Sequence, residues 1–222
     1  ISDEFKGNIE WDLSKLNTIT IDIETECANG FPDPKTAIEP LLCVTVKSHS
    51  TKEIIVFGIG EYKTNSDTVT YHQFPTEQSL LEAFIRFWQD YNPDIITGWN
   101  CKFFDMPYLI NRINYLMGET ESLKLSPWGI VEGKKQNKQF GGEIEHYDIL
   151  GVSTLDYLDL YKKYTYTKLE SYRLNFVAGV ELGDYKDENP YDSFKEWYTK
   201  DYQSFVDYNI QDVEIVDSLE DK

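Results

Sequence analysis

Residues Asn17 to Thr25 read NTITIDIET, and the alternation is strict: Ile19, Ile21 and Ile23 fall on one side, Thr18, Thr20, Asp22 and Glu24 on the other. A period of two is the signature of a strand with one buried face. This strand therefore carries two carboxylates on the face opposite its isoleucines. An apolar setting penalises a carboxylate strongly unless a cation compensates it, and the bland alternative is a solvated face.

Working outward, Leu41 to Lys47, Lys52 to Phe57 and Thr68 to Phe74 are rich in Val, Ile, Thr and Tyr and are separated by short polar turns. They are expected to be strands of an antiparallel meander. Thr76 stands where an N-cap belongs, ahead of Leu80, Leu81, Phe84, Ile85 and Trp88 at helical spacing, with a stop near Asn92-Pro93. Asp94 to Thr97 reads as a short strand, and Met106 to Met117 as a helix ended by Gly118. Strands followed by alternating helix, strand and helix imply an α/β fold with a mixed central sheet and helices on both faces. The run VEGKKQNKQFGGEIEHY, residues 131–147, reads as an exposed β-hairpin inserted at about 130–147, with Lys134, Lys135 and Lys138 near its tip. Further helices are expected around Tyr157 to Lys163, Ser171 to Ala178 and, in two pieces, Asp192 to Ser218.

With 222 residues, 41% hydrophobic and 15% aromatic, the chain has enough apolar side chain for one compact domain over 1–222. Its longest apolar runs, such as Pro40 to Val46, are far short of the roughly 20 residues that a bilayer-spanning helix needs, so no membrane partner is expected. Cys27, Cys43 and Cys101 are odd in number with no close pair, which argues against a disulfide framework or a zinc knuckle. The net charge of −18 by itself argues against a nucleic-acid enzyme. It does suit clustered carboxylates that concentrate hard divalent cations, because bound ions invert the local potential. Ile1 is not an initiator and Lys222 closely follows a helical segment, so the chain reads as a monomeric fragment of a longer protein whose basic surface lies elsewhere.

Three separated segments supply acids. The first is Asp22 and Glu24. The second is TGWNCKFFDMPYL, in which Asp105 follows two phenylalanines and starts a helix, a place that an ordinary N-cap would also fill. The third is YNIQD, where Tyr208 and Asp212 stand four apart and so share a helix face; a core tyrosine beside a surface acid has the same spacing. Two hard cations about 3.5–4 Å apart need shared oxygen ligands from several elements, and four carboxylates are available in this order.

Taken together, these motifs resemble the Exo I, Exo II and Exo III segments of DEDDy exonucleases in family B DNA polymerases of T-even-like phage type. ITGWNCKFFDMPYLINRI (96–113), STLDYLDLYKKYTYT (153–167) and VDYNIQDVE (206–214) carry the resemblance. It implies an RNase H-like fold, 3′-to-5′ exonuclease activity on the 3′ end of single-stranded or mispaired DNA, and two divalent ions, Mg²⁺ or Mn²⁺. It further implies metal ligation by Asp22, Glu24, Asp105 and Asp212, and a water-orienting role for Tyr208. Asn100 and Phe104 match positions close to substrate, and Phe31 resembles an aromatic that stacks near the terminal base; for both phenylalanines core packing is the alternative. The hairpin resembles one that keeps separated strands apart, with a solvated loop as the alternative. Implied partners are the polymerase domains of a longer chain, and the implied compartment is the cytoplasm of an infected bacterium. No polymerase palm motif is present, so excision alone is assigned. A free-standing nuclease of the same superfamily and a catalytically silent nucleic-acid-binding module are the rival classes; the first lacks the long polymerase-like flanks, the second would be missing an acid.

Overall fold

The computed structural model describes residues 12, 15–28, 30–137, 143–183 and 189–222. Eight strands and seven helices are present among them. Strands β1 (Thr18–Thr25), β2 (Leu41–Ser48), β3 (Ile54–Gly58), β4 (Val69–Gln73), β5 (Ile95–Gly98) and β8 (Ser153–Asp156) form a mixed sheet in the order β4-β3-β2-β1-β5-β8. Strands β6 (Val131–Asn137) and β7 (Glu143–Ile149) form a separate antiparallel hairpin. The helices are α1 (Glu77–Tyr91), α2 (Asp105–Met117), α3 (Glu119–Ser122), α4 (Tyr157–Tyr164), α5 (Leu174–Glu181), α6 (Phe194–Lys200) and α7 (Tyr202–Glu220).

The sheet separates two cores. Ile19, Ile21 and Ile23 of β1 pack with Leu80, Phe84 and Trp88 of α1 and Tyr108, Leu109 and Ile113 of α2. On the opposite face Cys43, Ile54 and Val56 pack with Trp197 of α6 and Phe205, Ile210 and Val213 of α7. The alternation of NTITIDIET is thus the alternation between these layers. Helix α1 begins as expected: the Thr76 side chain accepts from the Ser79 amide, Ser79 reciprocates, and Asn92 closes the helix in the left-handed region. All three cysteines are free thiols. No helix of the described residues is long and apolar enough to cross a membrane.

The expected meander holds for β1, β2 and β3, which pair antiparallel, but fails at β4, which runs parallel to β3 with Ile54 opposite Val69. The intervening segment 59–68 is long enough to travel back along a five-residue strand before re-entering the sheet. It is tied down on the way, Tyr62 donating to Asp207 at 2.8 Å and the Lys63 amide to Gln203 at 3.0 Å, both on α7. Strand β8, between Gly151 and α4, was not expected from the sequence.

Strands β1, β5 and β8 are mutually parallel, so their carboxyl ends open at one sheet edge. Ligand sites of open α/β sheets gather at such edges. The close approach of β5 to β1 requires Gly98: a Cβ there would lie 2.5 Å from the Ile21 carbonyl oxygen and 2.9 Å from the Cys101 Cβ. The segment 30–40 is fastened over this edge by α2. Tyr108 donates to the Glu39 carbonyl (2.6 Å), Asn111 to that of Pro34 (2.8 Å), and buried Arg112 to those of Ala37 and Ile38 while forking onto Glu77 of α1 at 2.6 and 2.7 Å. Such planar two-bond pairing is geometrically specific as well as strong.

Candidate active site

At the carboxyl edge of the parallel strands lies a cleft of about 910 Å³. Asp22, Glu24, Asp105, Tyr208 and Asp212 all line it, as do Phe31, Asn100 and Phe104, so all eight candidate catalytic and substrate-binding residues reach one cavity. Asp22, Glu24 and Asp212 each offer a carboxylate oxygen, and these three atoms lie within 4.8 Å of one another. Asp105 stands beside this trio and not within it.

Each acid is brought there by a local cause. Asp22 and Glu24 are consecutive cleft-facing positions of β1, and a register shift between Glu24 and Thr25 bends the strand as it leaves the sheet. Asp212 comes from α7, which crosses β1 and β2 on the face away from the isoleucines. Asp105 is the first residue of α2 and is almost wholly buried, but it is not an N-cap: Phe104 occupies that position, and no side chain caps the helix. Its Oδ1 accepts instead from the amide of Ile23, between the two acids of β1, at 3.1 Å. Burial pushes the Asp105 carboxyl up to about 8, and neighbouring Asp156 and Asp212 add to the rise against the Ile23 hydrogen bond.

Tyr208 lies one turn before Asp212, its ring edge-on to Trp197 at 4.8 Å and to Phe194 at 6.0 Å. It is a wall of the cleft as well as part of the α6–α7 packing. Burial, with Asp212, Glu24 and Asp22 nearby, raises its hydroxyl well above the ordinary value, so it remains a neutral phenol able to donate and accept. Asp212 is buried, which removes the alternative of a surface acid.

The aromatic mouth resolves the core-packing alternative differently for its two rings. Phe31 is 86% exposed and stands 5.3 Å from Phe104, whereas Phe104 packs partly against the main core and partly faces the cavity. An exposed ring held by a half-buried one offers a surface for stacking a base.

Two supporting residues went unnoticed in the sequence. Asn209 is fully buried; its amide donates to Asp22 Oδ2 at 2.5 Å, and its oxygen accepts from the Thr45 hydroxyl. It therefore orients one acid of the trio. Asp156 caps α4 through the amides of Leu158 (3.0 Å) and Asp159 (3.4 Å) and also accepts from the amides of Asn100 (3.1 Å) and Lys102 (2.9 Å). That grip holds the turn in which Asn100 adopts a φ of 65°. Trp99 and Arg173 also line the cleft, Arg173 being the one basic side chain to do so among the described residues.

The hairpin lysines are less available than the sequence suggested. Lys134 pairs with Glu132 at 2.6 Å, and Lys135 lies 3.4 Å from Glu143 and 3.7 Å from Glu145. Lys138 lies outside the described residues. The hairpin is anchored to α2, where Tyr147 donates to Asn111 at 2.6 Å.

Three carboxylates on a common focus, with a fourth beside them, form an all-oxygen donor set of the kind that hard divalent cations take. The residues therefore fit a metal centre. Comparison with known proteins points the same way. A family model described as DNA polymerase family B, exonuclease domain, matches residues 1–177. The DNA-directed DNA polymerase of Escherichia phage RB69 is 31% identical over 96% of this chain and 26% of its own length. That of Enterobacteria phage T4 is 32% identical over 99% of this chain and 27% of its own. The DNA polymerase catalytic subunit of Equine herpesvirus 1 (strain Ab4p) is 32% identical over 68% of this chain and 12% of its own. The chain spans about a quarter of the length of the two phage relatives. By the extent of these matches, the chain belongs to the exonuclease-domain family of the family B DNA polymerases.

Proposed function

We propose that this chain is a 3′-to-5′ exonuclease unit, residues 1–222, of a longer replicative DNA polymerase, and that it removes nucleotides from single-stranded or mispaired 3′ ends. The observation that carries this reading is the convergence of Asp22, Glu24 and Asp212 within 4.8 Å, with Asp105 on the same cleft, in a chain of this family.

Asp22, Glu24, Asp105 and Asp212 would hold two Mg²⁺ or Mn²⁺ ions, and Asn209 would fix the rotamer of Asp22. When bound, such ions lower the pKa of a water and offset the charge that builds on the phosphoryl and departing oxygens. Tyr208, with Glu24, orients the attacking water by hydrogen bonding. Water oxygen joins phosphorus, the bond from phosphorus to the 3′-oxygen breaks, and a nucleoside 5′-monophosphate leaves a strand with a new 3′-hydroxyl. Phe31 and Phe104 receive the terminal base. A paired end must first be unstacked and unpaired, which costs a few kcal/mol and less at a mismatch, so selectivity for errors follows from melting. The phage relatives suggest that this takes place in the cytoplasm of an infected bacterium.

A 5′-labelled single-stranded oligonucleotide with Mg²⁺ or Mn²⁺ tests the reading. Stepwise shortening from the 3′ end is expected, abolished by chelation. Internal cuts, shortening from the 5′ end, or no shortening at any metal concentration would overturn it.

A further inference from the structure

We propose that residues 162–173, KKYTYTKLESYR, running from the last turn of α4 to the start of α5, form the track on which the single strand lies upstream of its 3′ terminus. The proposal builds on the exonuclease reading and locates where the strand's affinity resides.

Charge is the first observation. Lys162, Lys163, Lys168 and Arg173 face only Glu170 within this segment, inside a chain of net charge −18. Several cations elsewhere are occupied: Lys47, Lys52, Arg112, Lys134 and Lys135 each lie within 4.0 Å of a carboxylate. None of the four cations of 162–173 has a carboxylate partner among the described residues. Such cations can meet phosphates without first leaving an acid.

Rings are the second. Tyr164 is 68% exposed and Tyr166 fully so, two rings two residues apart that leave their faces open for stacking. The ammonium of Lys162 lies 5.2 Å over the ring of Tyr172, and that of Lys163 lies 5.2 Å over the ring of Tyr164. Cations and rings thus alternate along the segment, as phosphates and base faces alternate along a single strand. A duplex would hide its base faces from these tyrosines, which selects the single strand.

Continuity is the third. Tyr172 and Arg173 line the cleft that holds the four acids, so the segment leads into the site. It is also held in place: Trp99, next to Asn100, donates its indole N–H to the Tyr172 carbonyl at 3.0 Å, and Tyr161 donates to Glu181 at 2.6 Å. The hairpin lysines, already paired with glutamates, are poorer candidates for this task.

The test compares wild type with Lys162→Gln/Lys163→Gln/Lys168→Gln and with Tyr164→Ser/Tyr166→Ser, leaving the cleft-lining Tyr172 and Arg173 alone. Two substrates are used: an oligothymidylate of about twelve residues, long enough to cover a strand site, and the p-nitrophenyl ester of thymidine 5′-monophosphate, which has no upstream strand. The triple variant should raise the oligonucleotide KM about tenfold with kcat and ester turnover unchanged. In Ca²⁺, fluorescence anisotropy should show a salt slope shallower by about 2, near 0.7 for each single-strand phosphate no longer neutralised by a lysine. The tyrosine variant should weaken binding with its slope unchanged. An unchanged KM and slope would overturn the track, as would equal losses on both substrates. If wild type turned over neither substrate, the exonuclease reading would fall, and the anisotropy slope would still decide the track.

Discussion

Helix α7 carries two acids five residues apart that meet the sheet under opposite conditions. Asp217 lies 2.7 Å from Lys47 of β2 and 2.8 Å from Lys52 of the following turn. Burial alone would raise its carboxyl, but the two lysines outweigh burial and hold it below the ordinary value. Asp212 has two further carboxylates, Asp22 and Glu24, within 4.8 Å. The same helix, packed on the same pair of strands, thus gathers opposite charges near its C-terminal end and like charges at its middle. Neutralising a buried acid with lysines is evidently open to this fold. A gathering of acids is therefore best explained by chemistry that needs it.

The largest expected effect separates the two clusters. Asp22→Ala with Glu24→Ala should cut exonuclease turnover at least about 10³-fold with little change in the thermal midpoint, because removal of like charges offsets the hydrogen bond that Asn209 loses. Asp217→Ala should do the reverse. It leaves Lys47 buried without its acid and should cost about 3 kcal/mol in urea unfolding, while turnover at low temperature stays within about twofold. An inactive but stable Asp217→Ala protein would break the comparison.

Metal should discriminate next. Millimolar Mg²⁺ or Mn²⁺ should raise the melting temperature of wild type and of Asp217→Ala, by an amount corresponding to roughly 2.7 kcal/mol at a hundredfold excess over Kd. The Asp22/Glu24 double variant should show no shift; a shift of equal size there would place the ions elsewhere.

The pH response adds a third acid of the cleft, because Asp105 and Asp217 are shifted in opposite directions. A folded Asp105 carboxyl near 8 keeps a proton that the unfolded chain gives up near 3.8. Its contribution to stability is therefore complete below 3.8 and fades as the pH rises towards about 8. Asp217, held low, contributes above its unfolded value and loses that contribution as the pH falls through its depressed folded value. In chelator, the difference between wild type and Asp105→Asn in urea unfolding should vary across pH 4 to 8 with the first sign; a flat difference would count against the buried acid.

Tyr208→Phe should be the mildest change. It keeps the edge-on packing with Trp197 and Phe194 and deletes one hydroxyl, so a loss of about tenfold in kcat with an unaltered metal-induced shift is expected. Loss of the metal shift would make the tyrosine structural.

Much of this architecture was legible from periodicity. The NTITIDIET alternation gave β1 and its apolar face, although the opposite face is covered as well, Thr76 marked the start of α1, and three motif segments named acids that do share a cleft. What escaped was non-local. Strand β8 is only four residues long and polar at its ends, too short for a period to register. The parallel run of β4 depends on where the segment 59–68 is anchored. Asp156 reads as an ordinary helix cap, and its second grip, on the turn 100–102, exists only because β5 and β8 are neighbours. Asn209 did leave a signal: it interrupts the buried stripe of Val206, Ile210 and Val213, and a polar residue on an apolar stripe needs a partner.

The bond from Asn209 to Asp22 joins residues 187 apart in sequence. Loop closure over that separation is entropically expensive and contributes late in folding. Strand β1 can pair with β2 early, but its acids acquire their third companion only when α7 docks at the far end of the chain. Cation affinity should therefore develop as one of the final events of folding, and a nascent or partly folded chain would carry the strand of acids without a working centre. A luminescent lanthanide added during refolding should light up after the bulk of secondary structure has formed, timing the arrival of α7.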